Sequence, residues 1–71
     1  MTQVVAANVR AEMARGGWNQ SKLAPALKMS QQALSERLRG RVAFDVNEIG
    51  AIASVLGVRV SVLMPTEAVA S

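Results

Sequence analysis

Gln31, Gln32, Ser35, Glu36 and Arg39 follow one another at spacings that put them on the outer side of one short helix. All of them form directional hydrogen bonds. A glutamine amide pairs through two bonds with adenine, a guanidinium does the same with guanine, and Glu36 can accept from a cytosine amine. The chemistry open to such a stripe is recognition of base edges in a major groove. A solvated helix face would show the same residue types, and Glu36 would then simply partner Arg39 three residues on.

The chain holds no histidine and no cysteine. That removes the usual nucleophile–base pairs and metal-ligand clusters, and no glycine-rich phosphate loop is present. An enzyme is not expected, and no cofactor or metal is implied. Charge is unevenly placed. Residues 1–44 carry seven Lys or Arg against two Glu, whereas residues 45–71 carry Arg59 against Asp45, Glu48 and Glu67. The basic part suits a polyanion. No run approaches the length of a membrane span, and Met1-Thr2-Gln3 lacks the basic start of a signal peptide, so a cytosolic protein is expected.

The elements that position the stripe are legible in helix-start signals. Asn19, Ser30 and Asp45 stand as N-caps, each preceded by an apolar residue (Trp18, Met29, Phe44) and followed at the staple position by another (Leu23, Leu34, Ile49). Asp45-Val46-Asn47-Glu48 also resembles a capping box. The periodicity predicts a first helix over about 4–15 with Val5, Val9 and Met13 inward, stopped at Gly16-Gly17. It predicts a second over 20–27, a third over 31–39 stopped at Gly40, and a fourth over 46–56 closed by Gly57. Trp18 is expected to be largely buried among the first, second and fourth helices. Val58, Val60 and Val62 alternate as in a strand, yet Val58 and Leu63 also fit a staple around Arg59. The expected class is all-α, a compact bundle of four or five helices over residues 1–64, with residues 65–71 a flexible tail.

Residues 20–39 form the informative unit, two short helices joined by a tight turn at Lys28-Met29-Ser30. Ala24, small and inward, lets the third helix cross close to the second. The run Gln20-Ser21-Lys22-Leu23-Ala24, continued by Met29-Ser30-Gln31-Gln32-Ala33-Leu34-Ser35 and Gly40, resembles the lambdoid phage repressor and Cro family of helix-turn-helix proteins. The likeness extends to Asp45–Leu56 and Gly57–Leu63, which match that family's fourth and fifth helices and so favour a helix at 60–64.

The resemblance implies double-stranded DNA as partner. It places Gln31 and Gln32 where the family's main base-reading pair stands, with Ser35 and Glu36 at the next outward positions. Gln20 resembles a glutamine that contacts a phosphate and braces the first reading residue. Lys22, Lys28, Arg37, Arg39 and Arg41 are assigned to phosphates. Two residues depart from the pattern. Lys28 stands where the family's turn usually has glycine, and Pro25 falls inside the second helix, where it removes a hydrogen bond. The family usually binds pseudo-palindromes as dimers, and Val60, Val62 and Met64 are the candidate contact, weak in solution, unless those valines pack on the first helix. A protein-interaction module of antitoxin or antirepressor type is the alternative use of the same fold.

Overall fold

A computed structural model of the chain describes residues 2–65. It contains five helices: α1 (Thr2–Gly16), α2 (Gln20–Ala26), α3 (Gln31–Leu38), α4 (Val46–Leu56) and α5 (Val60–Leu63). The expected all-α bundle is therefore observed, with no strand among the described residues. None of these helices is long and apolar enough to cross a membrane.

The three anticipated caps form. Asn19 accepts from the Lys22 amide, Ser30 from that of Ala33 and Asp45 from that of Glu48. At α4 the Glu48 carboxylate returns a bond to the Asp45 amide, completing the capping box. Helix ends are equally regular. After each of the first four helices one residue adopts a left-handed conformation, at Gly17, Lys28, Gly40 and Gly57. Around each, two amides reach back to carbonyls of the last turn, as Gly40 does to Arg37 (3.1 Å) and Arg41 to Glu36 (3.0 Å). This is the paired bonding of a Schellman motif.

The core is aliphatic. Val9, Leu23, Leu34, Ile52 and Leu63 are fully buried, and Val5, Ala6, Met13, Ala24, Leu38, Phe44, Ile49 and Ala53 join them. Truncating one of the larger members costs about 2–5 kcal/mol, a large share of what a small domain possesses. Trp18 differs from its expectation. It is half-buried at the α1–α2 turn, packed on the core's edge beside Gly16. Lying between two helices at a surface turn, its ring cannot be enclosed on all sides.

Residues 60–63 are helical. Leu63 is enclosed, while Val60 and Val62 remain exposed, so the alternation of valines reflects no strand. Asn8 on α1 donates to the Leu63 carbonyl (3.1 Å) and secures this short helix. Pro65, expected to begin the tail, is buried; residues 66–71 lie outside the described residues. Pro25 is accommodated inside α2 without ending it. It sits one turn after Ser21, an exposed residue whose carbonyl loses the amide partner that a proline cannot supply.

Candidate nucleic-acid interface

The turn between α2 and α3 fixes the site. The Lys28 amide donates to the Pro25 carbonyl (3.0 Å) and the Met29 amide to that of Ala24 (3.0 Å). Lys28 takes a φ of 58° to allow this, a conformation glycine adopts freely and a lysine does not. Met29 packs against the core beneath the turn, and Ser30 then starts α3. Leu34 and Leu38 face inward, which leaves the opposite side of α3 to solvent.

That outer side carries the expected stripe. Gln31 and Gln32 are exposed at the start of α3, with no partner for either side chain among the described residues. Ser35 and Glu36 are half-buried farther along. Exposed cations flank the stripe: Lys22 on α2, Lys28 in the turn, and Arg39 and Arg41 after α3. Gln20 is exposed at the first position of α2, and no hydrogen bond joins it to Gln31 among the described residues. Glu36 lies 4.0 Å from the guanidinium of Arg39 and 3.7 Å from that of Arg41. One carboxylate thus gathers two arginines at the end of the recognition stripe.

Arg37 is placed differently from the other cations. Its Nε meets Glu48 Oε1 at 3.0 Å and its Nη1 donates to the Ala33 carbonyl at 3.0 Å. The same Glu48 oxygen accepts from the Asp45 amide, so one atom ties α3 to the cap of α4. Arg37 is therefore a brace that fixes the angle of α3. Arg10 is a second brace, donating from α1 to the Leu38 carbonyl at the C-terminal end of α3. Neither link has a local signal in the sequence, where both residues count only as positive charge. At the far end of the chain, Val60 and Val62 are exposed and Met64 is half-buried.

Two short helices at a fixed turn, the second aiming polar side chains outward between exposed cations, define a helix-turn-helix unit. The helix-turn-helix family model matches residues 9–63, and the chain belongs to that family as a DNA-binding regulator. The crystal structure of a hypothetical transcription factor, NHTF, from Neisseria is similar at 27% identity and a TM-score of 0.80, covering 97% of this chain and 80% of that one. No curated protein matches the chain.

Proposed function

We propose that this chain is a sequence-specific transcriptional regulator of the Cro or minimal phage repressor type, acting in the cytosol on a pseudo-palindromic operator. In this reading α3 enters the major groove, where Gln31 and Gln32 read base edges and Ser35 and Glu36 contact the next bases. Gln20, Lys22, Lys28, Arg39 and Arg41 meet phosphates on either side of the groove. Arg37 serves the interface from behind, by holding α3 against α4.

The observation that carries the reading is the state of Gln31 and Gln32. Both are exposed, both stand on a helix capped by Ser30 and anchored by Leu34 and Leu38, and exposed cations precede them at Lys22 and Lys28 and follow α3 at Arg39 and Arg41. A helix held this firmly presents its amides in fixed directions, which base readout requires. Two copies, contacting through Val60, Val62 and Met64, would set two α3 helices about 34–36 Å apart, one turn of DNA.

Selection from a random pool of duplex DNA tests the whole proposal at once. The expected product is a pseudo-palindrome with half-sites one helical turn apart. Enrichment of no sequence, with binding retained only as a salt-sensitive attraction to any duplex, would refute it.

A further inference from the structure

We propose that Glu36 sets specificity by exclusion. On any duplex its carboxylate loses Arg39 and Arg41 to phosphates, and only a cytosine amine opposite it replaces them. This role rests on the reading above, in which α3 lies in the major groove, and adds what Glu36 does at the wrong sequence.

Glu36 is the only acid among residues 20–41, where it stands against Lys22, Lys28, Arg37, Arg39 and Arg41. The fold gives it little reason to be there. It lies in the last turn of α3, where the helix dipole disfavours a negative charge. Its ion-pair partners among the described residues are Arg39 and Arg41, both in the turn after α3, so it joins α3 to no other helix as Glu48 does. It also follows Gln32 by one turn on the same side of α3. Where Gln32 meets a base, an anion therefore meets the neighbouring step.

The pairing is built into the backbone. Five residues along a continuous helix, Arg41 would point away from Glu36. Gly40 instead takes a φ of 81°, and the chain turns back so that the Arg41 amide donates to the Glu36 carbonyl at 3.0 Å. The guanidinium of Arg41 then stands 3.7 Å from the carboxylate, and that of Arg39 stands 4.0 Å away. Two cations thus screen the acid in the free protein. They are held loosely: the arginine side chains are 62% and 66% exposed, against 33% for Glu36. Exposed pairs of this kind are weak, and a phosphate met from solvent competes for both arginines.

Contact with a duplex then leaves an unscreened carboxylate against a polyanion. The base opposite it decides the outcome. Guanine and thymine offer acceptor oxygens in the major groove, which repel an anion, and the adenine amine lies beside the N7 acceptor. Cytosine presents an amine donor with no acceptor of its own in that groove. Glu36 accepts that base and penalises the other three.

Binding of the full chain to the duplex obtained by selection, and to a shuffled duplex of the same composition, tests this at one fixed salt concentration. Glu36→Gln keeps the shape and one acceptor oxygen but removes the charge. The shuffled duplex should be bound about five-fold more tightly, since weak ion pairs no longer have to break. The selected duplex should be bound about two-fold more weakly, because the charge-assisted bond to cytosine is lost. The preference between the two duplexes then falls about ten-fold. In a chain already carrying Arg39→Gln and Arg41→Gln, the same change should tighten the shuffled duplex only about two-fold, through the direct repulsion that remains. Selection repeated with Glu36→Ala, which has no acceptor, should lose a cytosine at one position of each half-site. Circular dichroism and melting temperature should be maintained in every Glu36 variant, since an anion is removed from a helix end that disfavours it.

Equal tightening of both duplexes by Glu36→Gln would overturn the exclusion, because the acid would then act as charge alone. An equal gain in the chain lacking both arginines would overturn their release as its source. Unchanged base preferences in Glu36→Ala would overturn the cytosine contact while leaving Gln31 and Gln32 as readers. A wild-type chain that selects no sequence would overturn the reading above and this role with it.

Discussion

Replacing Lys28 with glycine should make the protein more stable and its DNA binding weaker. The lysine holds a φ of 58° so that its own amide and that of Met29 can close the turn onto Pro25 and Ala24. A side chain in that conformation costs about 1–2 kcal/mol. Glycine removes this strain but adds about 0.4–1 kcal/mol of unfolded-chain entropy. The difference is a gain of roughly 0.5–1 kcal/mol, since the two hydrogen bonds are main-chain bonds and survive the change. In a domain of this size that corresponds to a melting temperature about 2–8 °C higher. The half-buried Trp18, the chain's only tryptophan, reports the transition by fluorescence.

The same substitution deletes one exposed cation beside α3. If Lys28 meets a phosphate, the log–log dependence of affinity on salt should lose about 0.9 in slope, equally on specific and random duplexes. Urea or thermal unfolding and a salt titration of binding, done on one preparation, read both effects. A loss of stability would refute the strain argument, because it would mean that the lysine side chain stabilises the turn. An unchanged salt slope would refute the phosphate contact.

Other expectations follow from the same geometry. Neutralising Arg39 or Arg41 should weaken all duplexes alike and reduce the salt slope by about 1; a changed preference at a single base would instead make that arginine a base reader. Glu48→Ala removes both the return bond of the α4 capping box and the partner of Arg37, and should cost about 1–2 kcal/mol in denaturant unfolding. A cost near zero would mean that water replaces both bonds. Val62→Asp, at an exposed position of α5, should leave a folded protein that occupies half-sites but loses cooperative binding to the full site in gel-shift titrations; retained cooperativity would place the contact elsewhere.

The parts legible in the sequence are those decided within one turn of chain. Asn19, Ser30 and Asp45 cap because a short polar side chain reaches an amide two or three residues on, whatever lies beyond. The inward faces of α1, α3 and α4 follow from helical period alone. The braces were not legible. Arg10 reaches Leu38 across 28 residues and Asn8 reaches Leu63 across 55, so each bond exists only after the helices have packed. Arg37 and Arg39 look alike as letters two residues apart, but a helical step of two turns one toward Glu48 and leaves the other to solvent. The extent of Trp18 burial was hidden for a related reason, since a staple names its neighbour along the chain but not the roof above it. Between residues 58 and 64 the local pattern suited two structures, and the side-chain bond from Asn8 together with the burial of Leu63 accompanies the helical one.

Base reading by Gln31 and Gln32 can be checked by repeating the DNA selection with Gln31→Ala and Gln32→Ala beside the wild type. Each variant should remain folded, since both side chains are exposed and unpartnered. Each should lose preference at one or two positions per half-site, with about 1–3 kcal/mol less affinity for the wild-type sequence and an unchanged salt slope. Selected sequences that match the wild type at every position in both variants would contradict the account, because recognition would then lie on another surface of the molecule.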